Sequence, residues 1–189
     1  MRRSGLTGRG AQRGAVMITA LMILLLMTVF GISTMDTNIL EEKMAGNMRD
    51  RNIAFQAAES ALRAGESLVA SWSVLPDIRD VNDSTDTSPL WDLNSADPVT
   101  NNNIPWWGES ARPLSWWKAN AKVLTGSDKV AGLSDANQPA FLIEKLPPRA
   151  GTLEAAQSLD GADIFMQVTA RGVGRSDTTV VVLQSVYKW

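Results

Sequence analysis

The chain has 189 residues, with 18 basic and 20 acidic side chains and neither cysteine nor histidine. The absence of Cys excludes disulfides and thiolate metal sites, and the absence of His removes the usual general base and the commonest metal ligand. Four arginines lie in the first 14 residues, so the remaining 14 basic residues face 20 acidic ones, a balance of −6. This acidic balance gives no reason to expect a nucleic-acid partner. No catalytic motif is recognisable, and the sequence predicts neither a cofactor, a metal nor an enzyme.

The first predicted element is one continuous helix from Ala15 to about Ser71. Its first half, residues 15–35, is uncharged and largely apolar; its second half, residues 36–73, is charged and amphipathic, and no proline precedes Pro76. At ~1.5 Å per residue this helix is roughly 85 Å long, far longer than an ordinary globular helix. The apolar half is close to the ~20 residues that cross a bilayer core. It is therefore predicted to be a transmembrane anchor.

A basic segment, residues 1–14, precedes this helix and contains no acidic residue. By the positive-inside rule this end lies in the cytoplasm, and the chain after the apolar half lies across the membrane. An uncleaved signal anchor has this same pattern of charge and length. The junction of Gly14 and Ala15 with the apolar helix resembles the leader junction of type IV pilins. That resemblance implies cleavage between these two residues by a prepilin peptidase and N-methylation of Ala15.

The second half of the helix carries apolar side chains at a seven-residue spacing, which predicts the face that packs on the protein's own sheet. The members of this stripe are Met48, Phe55, Leu62 and Val69. Charged residues lie mostly on the other faces. Among them, Glu59 and Arg63 are predicted to form a favourable i,i+4 pair.

Residues 40–59 of the same helix carry a longer resemblance. The run LEEKMAGNMRDRN, followed after one residue by AFQAAE, is similar to the helix signature of the PilX-type minor pilins of type IV pili. The resemblance implies an α+β, type IV pilin-like fold, in which the long N-terminal helix packs on a C-terminal antiparallel sheet. It also implies an inner-membrane subunit that assembles with other minor pilins and the major pilin, and helps to start or cap the pilus.

Residues 74–138 are predicted to be rich in loops. The segment from Asp80 to Thr85 begins like a calcium loop, but Thr85 stands where the turn glycine belongs and no Glu closes the loop, which favours a solvated loop. Two tryptophan pairs follow, at 106–107 and 116–117. A short helix is predicted after Pro113, with Ser115 as its cap. One tryptophan of each pair is expected in the core; the alternative is a contact surface for a partner subunit.

The last part, residues 139–189, is predicted to be an antiparallel sheet. Its strands are expected at 140–146, 164–171 and 178–187, because apolar and β-branched residues alternate there. The amphipathic helix is expected to cover the apolar face of this sheet. The runs VTARG and VVLQSVY within these strands also resemble the PilX C-terminal region.

One departure from the wider pilin pattern concerns Thr19. Pilins generally have a glutamate as the fifth residue after cleavage, and Thr19 stands there; PilX-type proteins and the tip pseudopilin of type II secretion share this absence. The resemblance implies a non-enzymatic subunit with roles in pilus biogenesis and in twitching motility or adhesion. A subunit that enters the filament first has no earlier amine for a carboxylate to neutralise, so Thr19 predicts a position at or next to the pilus tip. A tip adhesin is a possible further partner. Two alternatives stay open: a minor pseudopilin of a type II secretion system, and a signal-anchored periplasmic binding domain.

Overall fold

The computed structural model describes residues 13–83, 85–99, 102–147 and 163–189. Most of the predicted leader, residues 1–12, lies outside this part of the chain. The first element is helix α1, Arg13–Ser71, of 59 residues. The chain divides into two compact units, one ending at Asn47 and the other beginning at Met48. The predicted continuous helix is therefore confirmed, and the two units are described separately.

The first unit consists of the N-terminal part of α1. Its large apolar side chains, from Val16 to Met44, are between 49 and 70% exposed. No charged residue occurs between Gly14 and Met35. Over the described residues, one helix is long and apolar enough to cross a membrane, and its apolar window is not buried by the protein. A helix that is hydrophobic all round is typical of a membrane span.

The second unit contains a mixed five-stranded sheet. Its strands are β1 (Leu90–Asp92), β2 (Lys122–Val123), β3 (Ala140–Lys145), β4 (Phe165–Val173) and β5 (Val180–Lys188). The order is β1-β3-β4-β5, and β2 pairs with β3 as well. The three predicted strands are confirmed as antiparallel neighbours. The short β1 runs parallel to β3, which the sequence did not predict, and this makes the sheet mixed.

Alternate residues of β3 lie in different cores. Phe141 and Ile143 belong to a core that includes Ala61 of α1, whereas Ala140 and Leu142 belong to a core built mainly from tryptophans. Successive side chains of a strand point to opposite faces of the sheet. The sheet is therefore covered by the part of α1 that belongs to the second unit on one face and by the tryptophan-bearing segment on the other.

The face of α1 that meets the sheet differs from the predicted stripe. Met48 is 70% and Phe55 49% exposed, so the prediction that these two pack on the sheet is wrong. Leu62 is half-buried against the core, and Val69 is buried. The fully buried positions on this face are Ala54, Ala57, Ala58, Ala61 and Val69. We call these residues, together with Gly65, the small-residue face.

The small-residue face exists because β4 approaches the helix very closely. A Cβ at Gly172 of β4 would overlap the carbonyl oxygen of Ala54 and lie 2.9 Å from the Cβ of Ala58. A Cβ at Gly65 would lie 2.5 Å from Cγ1 of Val168. Large side chains cannot fit between the two backbones, so the large apolar residues of the predicted stripe are displaced to the side.

The short predicted helix is α2, Leu114–Asn120. Its N-cap is Pro113, whose carbonyl oxygen accepts the backbone N–H of Trp117 at 3.2 Å, and no side chain caps this end. Ser115 lies inside the first turn, so the prediction that it caps the helix is wrong. The helix ends before β2 because Lys122 pairs with Phe141 of β3.

Candidate functional site

The predicted processing junction lies at the start of α1. The helix begins at Arg13, so Gly14 and Ala15 are within its first turn, and both are exposed. A Cβ added at Gly14 would meet nothing within 4 Å. The protein itself therefore places no packing demand on glycine at this position. Cleavage and methylation stay predictions.

The hydroxyl of Thr19 donates to carbonyl oxygens of its own helix. Its Oγ1 lies 2.9 Å from the carbonyl oxygen of Val16 and 3.2 Å from that of Ala15. Thr28 and Thr37 donate in the same way to Leu25 and Ser33. A hydroxyl group that donates a hydrogen bond to a carbonyl oxygen of the preceding turn leaves no unsatisfied donor in apolar surroundings. Thr19 is thus compatible with a bilayer without a partner.

In the second unit, the carboxylate of Asp50 joins α1 to the connection between β4 and β5. Oδ1 of Asp50 accepts the backbone N–H of Arg175 at 2.6 Å, and Oδ2 lies 3.4 Å from the nitrogen of Ser176. The hydroxyl of Thr179 also donates to this carboxylate and, with these amides, lowers the pKa of Asp50. A Cβ at Gly174 would lie 2.6 to 2.7 Å from the carboxylate atoms, so the contact requires glycine there. No local sequence pattern indicates this contact, because its partners are far apart in the chain.

The tryptophan segment covers the other face of the sheet. Ring contacts with centroid distances of 5.3 to 6.1 Å connect Trp91, Trp106, Trp107, Trp116 and Trp117. Trp106 is 2% and Trp117 0% exposed, whereas their sequence neighbours are half-buried. The prediction that one member of each pair lies in the core is therefore confirmed.

A buried carboxyl, Glu144 of β3, lies beneath this tryptophan layer. Oε1 accepts the backbone N–H of Asn94 at 3.0 Å, and Oε2 accepts the Nε1–H of Trp106 at 3.1 Å. Burial raises the pKa of Glu144, and these two hydrogen bonds oppose part of that rise. The strand alternation already places Glu144 on the same face as Leu142, which was the signal available in the sequence.

Arginines contact three of the indole rings. The guanidinium carbons of Arg79, Arg112 and Arg171 lie 4.7, 4.3 and 5.9 Å from ring centroids of Trp91, Trp116 and Trp117 respectively. Burial lowers the pKa values of Arg112 and Arg171. Arginine stays charged in proteins in spite of such shifts. The three guanidinium groups therefore place positive charge against the tryptophan rings.

The aspartates of the loop before β1 are engaged by their own backbone. Asp80 accepts the N–H of Asn82, and Asp83 accepts that of Thr85. Asp86 accepts the N–H groups of Ser88 and Asp80. Within the described ranges, no group of three acidic side chains is arranged to hold a metal ion. The loop therefore has the geometry of successive Asx turns.

Comparisons with known proteins identify the family. The family model "PilX N-terminal" matches residues 13–63, and the family model "Type IV pilus assembly protein PilX C-term" matches residues 79–188. Searches of curated proteins and of solved structures found no significant match. The two matched ranges contain the apolar half of α1, the four alanines of the small-residue face and the whole sheet. The chain therefore belongs to the PilX family of type IV pilus assembly proteins, and it is a minor pilin.

Proposed function

We propose that this minor pilin enters the filament first, lies at or next to its tip and primes pilus assembly. The observation that carries the proposal is the hydrogen bonding of Thr19. Its hydroxyl is satisfied by the carbonyls of its own helix at 2.9 and 3.2 Å, and no carboxylate occurs in the apolar half.

A carboxylate within the membrane is favourable only where a positive charge neutralises it. In pilins generally, the glutamate at this position is thought to neutralise the N-terminal amine of the neighbouring subunit already in the filament. An unpaired acidic side chain at the centre of a bilayer costs about 2.5–3.5 kcal/mol on insertion scales. A subunit that enters first meets no earlier amine, so a carboxylate there brings the cost without the attraction. Thr19 avoids that cost.

The proposal for processing and topology rests on the basic segment and on the junction that follows it. The basic segment keeps the N-terminus in the cytoplasm, a prepilin peptidase cleaves between Gly14 and Ala15, and Ala15 becomes N-methylated. The head is then periplasmic before assembly and part of the pilus fibre afterwards. The partners in this proposal are other minor pilins and the major pilin, which contact the N-terminal helix, and a tip adhesin.

The test uses full-length protein labelled in the head and examined on intact pili. We expect few copies, confined to filament ends, and a deletion that reduces pilus number more than pilus length. Thr19→Glu is expected to increase incorporation along the shaft, whereas Thr19→Ala is not. Thr28→Glu is the matched control, because Thr28 has the same internal hydrogen bond but a different depth.

Several results would contradict the proposal. Label spread evenly along the shaft would contradict a position at the tip. Equal incorporation of Thr19→Glu and Thr19→Ala into the shaft would show that the missing carboxylate does not restrict where the subunit lies. A deletion that abolishes protein secretion but leaves pilus number unchanged favours a type II secretion pseudopilin, and an intact N-terminus in mature protein favours a signal-anchored domain.

A further inference from the structure

A groove crosses the surface of the second unit beside the tryptophan layer. It consists of two clefts, of about 290 and about 400 Å³, which share Arg79, Trp91, Ala119 and Asn120 as lining residues. Arg79 lies where the clefts meet and donates from Nη1 to the carbonyl oxygen of Asn120 at 3.2 Å. All these residues belong to the second unit.

The lining of the groove is basic, although the chain as a whole is acidic. Three cationic side chains, Arg79, Arg112 and Lys122, line it, against one carboxylate, Asp83, in a chain of net charge −2. Asp83 is already engaged, because Oδ1 accepts both the backbone N–H and the hydroxyl of Thr85, at 2.8 and 2.6 Å. In the described part of the chain no salt bridge neutralises the three cations. Asp97 and Glu109 lie near enough to act electrostatically on Arg112, and Asp86 interacts in this way with Arg79, but none of the three cations is held in a direct ion pair in the described part of the chain. An anionic group in the groove therefore meets cations that are free to form ion pairs with it.

The two guanidinium groups are held in place before any ligand arrives. Arg79 lies 4.7 Å above Trp91, Arg112 lies 4.3 Å above Trp116, and the two indole rings are in contact at 6.0 Å. Nε of Arg112 also donates to the carbonyl oxygen of Ala96 at 2.7 Å. Each guanidinium has five N–H donors, so several remain for a ligand. A fixed fork of donors suits a carboxylate, and it lowers the entropy that binding costs.

The groove offers no free strand edge to a peptide. The outer edge of β1 is covered, because Ile78 forms a bridge with Leu90 and the N–H of Arg79 donates to the carbonyl oxygen of Leu90 at 2.7 Å. Strand addition, a common mode of peptide capture, is therefore blocked here. The rest of the lining includes the hydroxyl side chains of Ser88 and Ser95, with indole rings beside them. Hydroxyls, indoles and arginines together suit a sugar that carries a carboxylate.

We propose that this groove binds an acidic oligosaccharide, with uronate carboxylates on Arg79 and Arg112 and sugar hydroxyls on the serine and asparagine side chains. The two joined clefts accommodate more than one sugar unit. Lys122, which lines only the smaller cleft, supplies a third positive charge for a further carboxylate. This activity is independent of where the subunit lies in the filament.

The test measures binding of hexagalacturonate to the full-length protein in detergent micelles by titration calorimetry. Maltohexaose, of the same length but without carboxylates, is the neutral comparison. We expect hexagalacturonate to bind at least 10-fold more tightly than maltohexaose, and to bind more weakly as NaCl is raised from 50 to 300 mM. Arg79→Gln should weaken hexagalacturonate binding about 10-fold, and Arg79→Lys should restore part of it.

Arg63→Gln is the matched control, because Arg63 is an exposed arginine of α1 outside the groove that pairs with Glu59. It should leave the affinity unchanged. The proposal is overturned if the two sugars bind equally, if neither binds, if Arg63→Gln weakens binding as much as Arg79→Gln, or if hexaglutamate binds more tightly than hexagalacturonate. Should Arg79→Gln unfold the head, Lys122→Gln replaces it, and an unchanged affinity in that variant overturns the proposal equally.

Discussion

The carboxylate of Asp50 lies 2.6 Å from the backbone nitrogen of Arg175, a residue 125 positions further along the chain. This hydrogen bond joins α1 to the connection between the last two strands. We expect Asp50→Ala to lower the free energy of unfolding by about 1 kcal/mol, since the backbone amides of the exposed Arg175 and Ser176 lose a charged acceptor. Asp177→Ala, in the same connection but without this contact, is the control. Equal thermal shifts in the two variants would show that the carboxylate does not stabilise the head.

The same contact predicts a loss of stability in acid. Hydrogen bonds lower the pKa of Asp50 in the folded protein below its ordinary value of 3.8. The unfolded state therefore binds the proton more readily, so this contribution is present above about pH 4 and is lost as the pH falls through the folded-state pKa. Denaturant unfolding of the wild type and of Asp50→Asn at pH 3 and pH 6 measures this contribution. The difference in unfolding free energy between the two proteins should be smaller at pH 3 than at pH 6.

Glu144 should have the opposite pH dependence. Burial raises its pKa above 4.5, so the folded state binds the proton more tightly than the unfolded state. Its contribution is most favourable at pH values below 4.5 and declines as the pH rises through the folded-state pKa. Glu144→Gln should flatten the fall in stability between pH 4.5 and 7. Denaturant unfolding across this range, with the exposed Glu41→Gln as control, tests it; identical slopes in both variants would argue against a buried, titrating carboxyl.

Gly172 should tolerate no side chain. A Cβ there overlaps the carbonyl oxygen of Ala54, so Gly172→Ala must push α1 away from β4. We expect a loss of about 3 kcal/mol of stability. Gly46→Ala is the matched control, because nothing lies within 4 Å of its Cβ and alanine favours a helix. Similar melting temperatures for the two variants would mean that helix and strand are not in close contact.

Phe55 should contribute little to the stability of the folded head. Its side chain is 49% exposed, so Phe55→Ala should cost less than about 1 kcal/mol. Ile143→Ala, at a fully buried position, should cost about 2–5 kcal/mol. Melting temperatures of the full-length protein in detergent compare the two. A larger loss of stability for Phe55→Ala than for Ile143→Ala would show that Phe55 packs in the core, as the seven-residue stripe predicted.

Gly14 is expected to matter for processing alone. Because its surroundings are empty, Gly14→Trp should leave the fold intact and block cleavage. Full-length precursor should then accumulate in the membrane, whereas wild-type pili should contain a chain that begins at Ala15. Mass spectrometry of both samples measures this. Normal shortening of the variant would argue against cleavage at this junction.

Elements with a strong local pattern were predictable from the sequence. The helix follows from a long run without proline, and the three C-terminal strands follow from alternation and β-branching, with ends within about two residues of those observed. The ion pair of Glu59 and Arg63, at 3.0 Å, follows from their spacing. The hydrogen bond of the Thr19 hydroxyl was also predictable from the sequence, because it depends only on the preceding turn of the helix.

Features that depend on distant residues were not predictable. β1 has three residues, and its pairing with β3 involves positions such as Leu90 and Ile143 that no local pattern connects. The predicted stripe of α1 was chosen by the seven-residue spacing of large apolar side chains, whereas the buried face consists mainly of alanines. The observed face is set instead by the close approach of Gly172, which only the folded sheet reveals.

The small-residue face has a consequence for the order in which the head forms during synthesis. Ala54 and Ala58 leave the ribosome long before Gly172, the strand residue that covers them. A chain made from its N-terminus must therefore hold this part of α1 uncovered until β4 and β5 are complete. Contacts between such distant segments form slowly. A ribosome that stops before residue 165 releases a chain that lacks β4 and β5, so the small-residue face stays uncovered and the chain is open to proteases.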